Sequence, residues 1–145
     1  MMLIKMAEAY LRQASARIKD SREALNDGLY AYALRLSQEA IELSLKAALK
    51  LVAIEYPKKH DVSDVLLEVK DRFPEWFRNE VRTIADISRK LAAKREVCMY
   101  GDEETFMSPD ETVSAEEALK AVKEAEMTYD LCKRLLDEVK SCVKA

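Results

Sequence analysis

The residue in this sequence most suggestive of chemistry is Arg95. It follows an apolar row at helical spacing, Phe77, Val81, Ile84, Ser88 and Leu91, and the next step of that row predicts an inward position. A guanidinium cannot be buried alone. An inward Arg95 needs a carboxylate, a partner chain or a ligand phosphate. The alternative is that the row ends and the side chain reaches out to water. Tyr100 comes five residues later. Five residues turn a regular helix by about 500°, so the two side chains converge only if the helix ends or unwinds near Tyr100. Gly101 offers such a stop. Otherwise Tyr100 is an amphipathic aromatic at the rim of the core. Arg89, Lys90 and Lys94 lie just upstream and are expected to flank the site and attract phosphate. His60 is the chain's single imidazole, beside Asp61. Its ordinary role is a local hydrogen bond, and it is carried as a candidate ligand contact. Glu42 and Lys46 are spaced i, i+4 in the favourable order, a pair worth about 0.2–0.5 kcal/mol on a helix surface.

Other chemistries find no support. There is no phosphate-binding glycine loop, dinucleotide fingerprint, HExxH or nucleophile elbow. The three cysteines, Cys98, Cys132 and Cys142, are odd in number and lack CxxC spacing. With one histidine they are too few for a zinc site, and they read as reduced thiols packed as small apolar groups. No metal and no cofactor is expected. Net charge is −3 and the isoelectric point is near 5.4, which argues against strong non-specific binding to duplex DNA. The distribution is uneven. Between Trp76 and Arg95 six basic residues face two acidic ones, whereas Glu96 to Glu117 holds eight acidic residues and no lysine or arginine.

The elements that must position these residues read as helices throughout. At 145 residues, 49% apolar and 35% charged, with only 2 glycines and 3 prolines, the chain suits a single all-α domain spanning residues 1–145. An up-and-down antiparallel bundle of four to five helices follows from the periodicity and short connections. The first helix is expected over Lys5–Asp27, stopped at Gly28. The second is expected over Tyr30–Tyr56, ended by Pro57. The second carries two apolar rows, Leu29–Ala33–Leu36–Ala40–Leu43–Ala47 and Leu34–Ile41–Leu45–Ala48–Val52, which makes it the centre of the bundle. A short third helix, Val62–Arg72, takes Asp61 as its cap. The fourth starts around Pro74 and runs unbroken to Tyr100. An acidic loop follows over Asp102–Val113, expected to be mobile. Ser114 and Glu117 form a capping box for a last helix whose inward row ends at Val139 and Val143. No stretch is long and apolar enough for a signal peptide or membrane span, so a cytoplasmic protein is expected.

Four stretches, in order, resemble the signatures of the HEPN family: YLRQASARIKDSREALNDGLYAYAL, SQEAIELSLKAALKL, YPKKHDVSDVLLEV, and RKLAAKREVCMYGDEE followed by SAEEALKAVKEAE. Each is weak alone; the ordered set covers nearly the whole chain. The resemblance implies a helical bundle that is usually dimeric, in a family where many members are ribonucleases or toxins. The family's motif is an Arg, four to six residues, then a His. Its Arg maps onto Arg95, but the aligned His position is Tyr100, giving Arg-x4-Tyr, and His60 belongs to a different motif. Arg95 and Tyr100 are thus the candidate catalytic pair. The change removes the imidazole that would move a proton near neutral pH. Members of the Arg-x4-Tyr kind are often encoded beside a minimal nucleotidyltransferase, in toxin–antitoxin-like pairs. The resemblance therefore implies a homodimeric binding module for a nucleotide, RNA or that partner protein. A metal-independent ribonuclease or a purely structural bundle are the alternatives.

Overall fold

The computed structural model describes residues 1–56 and 58–144. Among these, four long helices form the scaffold: α1 (Met2–Asn26), α2 (Tyr30–Leu51), α4 (Glu75–Ala93) and α7 (Ala115–Lys144). Between them lie the short helices α3 (Ser63–Glu68), α5 (Arg95–Tyr100) and α6 (Pro109–Thr112), and a 3₁₀ turn at Lys70–Arg72. There is no strand among the described residues, only one isolated bridge between Asp102 and Met107. The all-α bundle read from the periodicity is what forms.

The three-residue connection from α1 to α2 shows how the sequence reverses itself. Gly28 takes φ 77°, its N–H donates to the Leu25 carbonyl, and the Leu29 N–H donates to the Ala24 carbonyl. These two bonds satisfy helix-end acceptors that would otherwise be orphaned, and they need a left-handed residue at the turn. Helix α2 ends the same way without a glycine. Ala53 takes φ 59°, with Ala53 N–H to Lys50 O and Ile54 N–H to Leu49 O. The helix therefore stops at Leu51, five residues short of the Tyr56 expected from the position of Pro57. Pro57, the expected stop, lies outside the described residues.

Helix α2 packs against α1, α7, α4 and α5 and is the centre of the bundle. Ala33, Leu36, Ala40 and Ala47 of one row and Leu34, Ile41, Leu45 and Ala48 of the other are buried. Burial of side chains this size contributes about 1.5–3 kcal/mol each for the leucines and isoleucines. Leu29, placed inward by the spacing, is 45% exposed, because it sits in the turn rather than on the helix. On α7, Ala118, Val122, Ala125, Cys132 and Leu136 point inward as expected, whereas Val143 borders an open groove with Met1, Ile4 and Lys5 at the start of α1 and is 54% exposed. No helix of the described residues is long and apolar enough to cross a membrane.

Three further expectations change. The 3₁₀ turn replaces the end of the third helix, and the residue before α3 is Val62 rather than Asp61. Asp61 still anchors that start, accepting from the Ser63 N–H (3.0 Å), from the Ser63 hydroxyl (3.0 Å) and, across to α4, from the Ser88 hydroxyl (2.9 Å). The fourth helix is not continuous: it breaks at Lys94, and α5 begins at Arg95. No glycine or proline marks this break. The flanking side chains are tied to different neighbours, Lys94 to Glu117 of α7 and Arg95 to Gln38 of α2. Finally, the acidic loop carries hydrogen-bonded turns and the short α6. Asp102 and Met107 exchange two backbone hydrogen bonds, the Asp102 carboxylate accepts from the Glu104 and Thr105 N–H groups, and Val113 enters the core. Gly101, at φ 76°, permits the closure: a Cβ there would lie 2.2 Å from the Met107 carbonyl oxygen.

Candidate functional site

The break at Lys94 decides where the candidate residues go. Arg95 opens α5, and His60, Arg95, Met99 and Tyr100 line one open cleft of about 340 Å³ with Ala92 and Glu96. Arg95 and Tyr100 thus border a common cleft although five residues apart: the helix ends at Tyr100 with Gly101 as its left-handed stop, as expected, and a further interruption falls before Arg95, at Lys94. The Tyr100 side is open, with 65% of the residue exposed, and a second cleft on its far flank is lined by Glu96, Asp102, Glu103 and Glu104. Tyr100 therefore stands as a ridge between an arginine-bearing cleft and an acidic one.

Arg95 finds its counter-charge within the chain. Its Nη1 donates to Gln38 Oε1 at 2.7 Å and lies 3.7 Å from Glu39 Oε2. Its Nε and Nη2 make no hydrogen bond to the described residues, and the side chain keeps 24% exposure at the cleft. Glu39 is shared. Arg17 from α1 donates through Nε to Oε1 (3.0 Å), and Arg35 donates through Nε to Oε2 (3.2 Å). One carboxylate thus faces three guanidinia, a local excess of positive charge.

Gln38 links this centre to a second one. It is only 2% exposed, so its amide must find partners inside. The oxygen accepts from Arg95, and the nitrogen donates to Glu42 Oε1 (3.2 Å) and to the His60 carbonyl (3.4 Å). Glu42 also receives Lys46 Nζ (2.9 Å) and lies 3.0 Å from His60 Nδ1. Burial would push the Glu42 carboxyl up, but the hydrogen bonds from Lys46, Gln38 and His60 outweigh it and hold the group below its ordinary value. A carboxylate only accepts, so His60 Nδ1 carries the proton in this contact, which leaves Nε2 of the neutral ring as an acceptor. Beyond Lys46, the Tyr56 phenol is pushed up by burial and by the neighbouring Tyr10 hydroxyl.

The remaining candidates lie elsewhere. Arg89 bonds Asp64 (3.3 Å) on the outer face, and Lys94 is paired to Glu117, whose carboxyl it holds below the ordinary range. Lys90 is exposed on the same outer face. None of these three lines the cleft with Arg95. Sequence reading missed Gln38, Glu39, Arg17 and Arg35. One signal was present: Gln38 fills the empty step of the apolar row between Leu34 and Ile41, a polar residue at a core position. Cys98 and Cys132 are buried and Cys142 is exposed; burial pushes the first two thiols up, away from reactive thiolates.

A comparison with curated proteins finds no match. A family model, by contrast, matches residues 7–135, from the first turns of α1 to the inward leucines of α7, and so takes in every residue of both charged centres. That span, its helical order and the placing of Arg95 at the head of α5 agree with one another: the chain belongs to the HEPN domain family.

Proposed function

We propose that this chain is a HEPN binding module whose cleft holds the phosphate of a nucleotide or RNA between Arg95 and Tyr100, acting as a homodimer beside a nucleotidyltransferase partner. The observation that carries the reading is the half-used guanidinium. Arg95 is fixed through Nη1 by Gln38 and Glu39, while Nε and Nη2 have no acceptor among the described residues and the side chain borders an open cleft. A positioned guanidinium edge matches a phosphate in a bidentate fashion. The exposed Tyr100 ring adds a face on which a base can stack. The test pairs anisotropy with labelled RNA against thermal melting. Arg95→Ala weakens binding at least tenfold while the melting temperature falls by only a few degrees; a large fall with no binding by native protein makes Arg95 a structural ion-pair residue. Sedimentation equilibrium checks the dimer, for which a strictly 16.6 kDa species is the contrary result.

A ribonuclease is the second reading, and His60 favours it. The motif lacks its histidine, yet an imidazole from another element lines the same cleft, with Nδ1 held by Glu42 and Nε2 open. His60 Nε2 would take the proton of a ribose 2′-hydroxyl as that oxygen attacks phosphorus. The P–O5′ bond then breaks, and Tyr100 protonates the leaving 5′-oxygen to give a 2′,3′-cyclic phosphate and a 5′-hydroxyl. Brisk cleavage of RNA without metal, abolished in both His60→Ala and Tyr100→Phe, selects this reading; absence of cleavage by native protein removes it.

A further inference from the structure

The three guanidinia around Glu39 are out of proportion to the single carboxylate they share. Arg17, Arg35 and Arg95 approach from α1, α2 and α5 and keep side-chain exposures of 33%, 29% and 24%, against 17% for Glu39. Each is tethered to Glu39 through one edge. Arg17 also gives Nη1 to the Gln13 carbonyl (3.4 Å), while Nη2 of Arg17 and both Nη atoms of Arg35 have no hydrogen-bond acceptor among the described residues. The Arg35 guanidinium lies 5.9 Å from the centroid of the Tyr32 ring, and Tyr32 is 45% exposed. In a purely structural ion pair the charges balance, and no exposed aromatic ring is needed beside them.

We infer that the cluster of Arg17, Arg35 and Tyr32 is a second subsite continuous with the Arg95–Tyr100 cleft, and that the ligand is single-stranded RNA of several nucleotides rather than a mononucleotide. The inference rests on the reading of the cleft given above. Its basis is the order of groups. Tyr32, Arg35 and Glu39 follow one another along α2, Glu39 meets Arg95, and Arg95 shares its cleft with Tyr100. From Tyr32 to Glu39 alone α2 rises about 10 Å, so the whole track outruns a single nucleotide. Guanidinia flanked on both sides by exposed aromatic rings suit alternating phosphates and stacked bases. An acidic peptide would satisfy the cations but would leave both rings without a role. Glu39 in turn keeps the guanidinia oriented when no ligand is present and competes with it.

The experiment uses the full chain, fluorescein-labelled hexaadenylate read by anisotropy, and unlabelled AMP and a hexaglutamate peptide as competitors. Native protein binds the hexanucleotide at least tenfold tighter than AMP. Tyr32→Ala weakens the hexanucleotide three- to tenfold and leaves AMP unchanged, and Arg35→Gln weakens the hexanucleotide by a similar factor and lowers its salt slope by about 0.7. Tyr32 is exposed, so its variant remains a fair test if Arg35→Gln unfolds. If Tyr32→Ala and Arg35→Gln change nothing while Arg95→Ala weakens both ligands, the second subsite is refuted and the cleft reading stands. If Arg95→Ala weakens neither ligand, or native protein binds neither, the cleft reading falls and this inference with it. Displacement of the hexanucleotide by hexaglutamate at equal concentration overturns RNA as the ligand.

Discussion

The two arginine-bearing faces of this bundle are built differently. On the outer face of α4, charges are matched locally: Arg89 with Asp64 and Asp86, Arg78 with Asp71, and Lys94 with Glu117 at its end. Most of these side chains are largely in water, where an ion pair is screened and worth little. On the α2 side, Arg17, Arg35 and Arg95 crowd one carboxylate in a half-buried setting. The basic run from Arg78 to Arg95 looks like the phosphate-attracting surface when residues are counted along the chain. Counted in space, Arg78, Arg89 and Lys94 of that run are paired, Arg82 and Lys90 have no ion pair among the described residues, and the crowding of three guanidinia on one carboxylate lies where sequence composition shows nothing unusual. Local excess of charge is a property of packing rather than of segments.

Removing Glu39 tests this contrast most severely. Glu39→Ala leaves three partly buried guanidinia facing one another, and it is expected to destabilise the fold by about 2–3 kcal/mol, below the range for fully buried pairs because water still reaches the cluster. The midpoint of urea unfolding measures it; a change under about 1 kcal/mol would make the two faces energetically equivalent.

Acid unfolding compares the faces next. The carboxyls of Glu42 and Glu117 are both held below their ordinary value, Glu42 by its hydrogen bonds against burial and Glu117 chiefly by Lys94. A carboxyl lowered in the folded state contributes stability above its unfolded value, and that contribution is lost as pH falls through the folded value. The deficit of Glu42→Gln relative to native protein should be present at pH 7 and shrink below about pH 4.3. Glu117→Gln, on the exposed side, should show the same trend with smaller size. Unfolding midpoints collected from pH 7 to pH 2 decide it, and a deficit that grows in acid contradicts the assigned direction.

Smaller again are the outer-face deletions. Arg89→Ala and Lys94→Ala should each cost under about 1 kcal/mol in thermal melts, less still in 0.5 M salt, and should alter RNA binding by less than about twofold. A larger loss of binding would return the outer face to the site. The smallest effect is of opposite sign. Ala53→Gly relieves a left-handed alanine at the end of α2 and should stabilise by about 0.5 kcal/mol, after the greater freedom of glycine in the unfolded chain is set against it.

Much of the bundle was legible because helical periodicity reports which side of each helix is buried. The row from Phe77 to Leu91 and its continuation to Arg95 led to the guanidinium at the cleft; the spacing left open whether a carboxylate, a partner chain, a ligand phosphate or water would meet it, and the fold supplies Gln38 and Glu39. What escaped depends on contacts that periodicity does not encode. The break at Lys94 has no glycine or proline, and the end of α2 has an alanine where a glycine would be the usual sign. Arg17 and Arg95 reach α2 from positions 22 residues before Glu39 and 57 residues after Gln38, so neither is visible as a spacing. His60 shared no motif with Arg95, yet folding brings both to one cleft.

Gln38 also sets a limit on how this sequence can drift. The position needs one group that accepts from Arg95 and donates to both Glu42 and the His60 carbonyl. Glutamate could satisfy Arg95 but would repel Glu42; lysine could serve Glu42 but would repel Arg95; leucine would fit the apolar row and leave several polar groups unmatched. Asparagine has the right chemistry but is one methylene shorter. A deep mutational scan selecting for folded protein should find position 38 nearly intolerant of change although it touches water hardly at all, while Tyr100, six-tenths exposed, tolerates most substitutions in that same selection. The contrast would separate residues kept for the architecture of the cleft from those kept for what enters it.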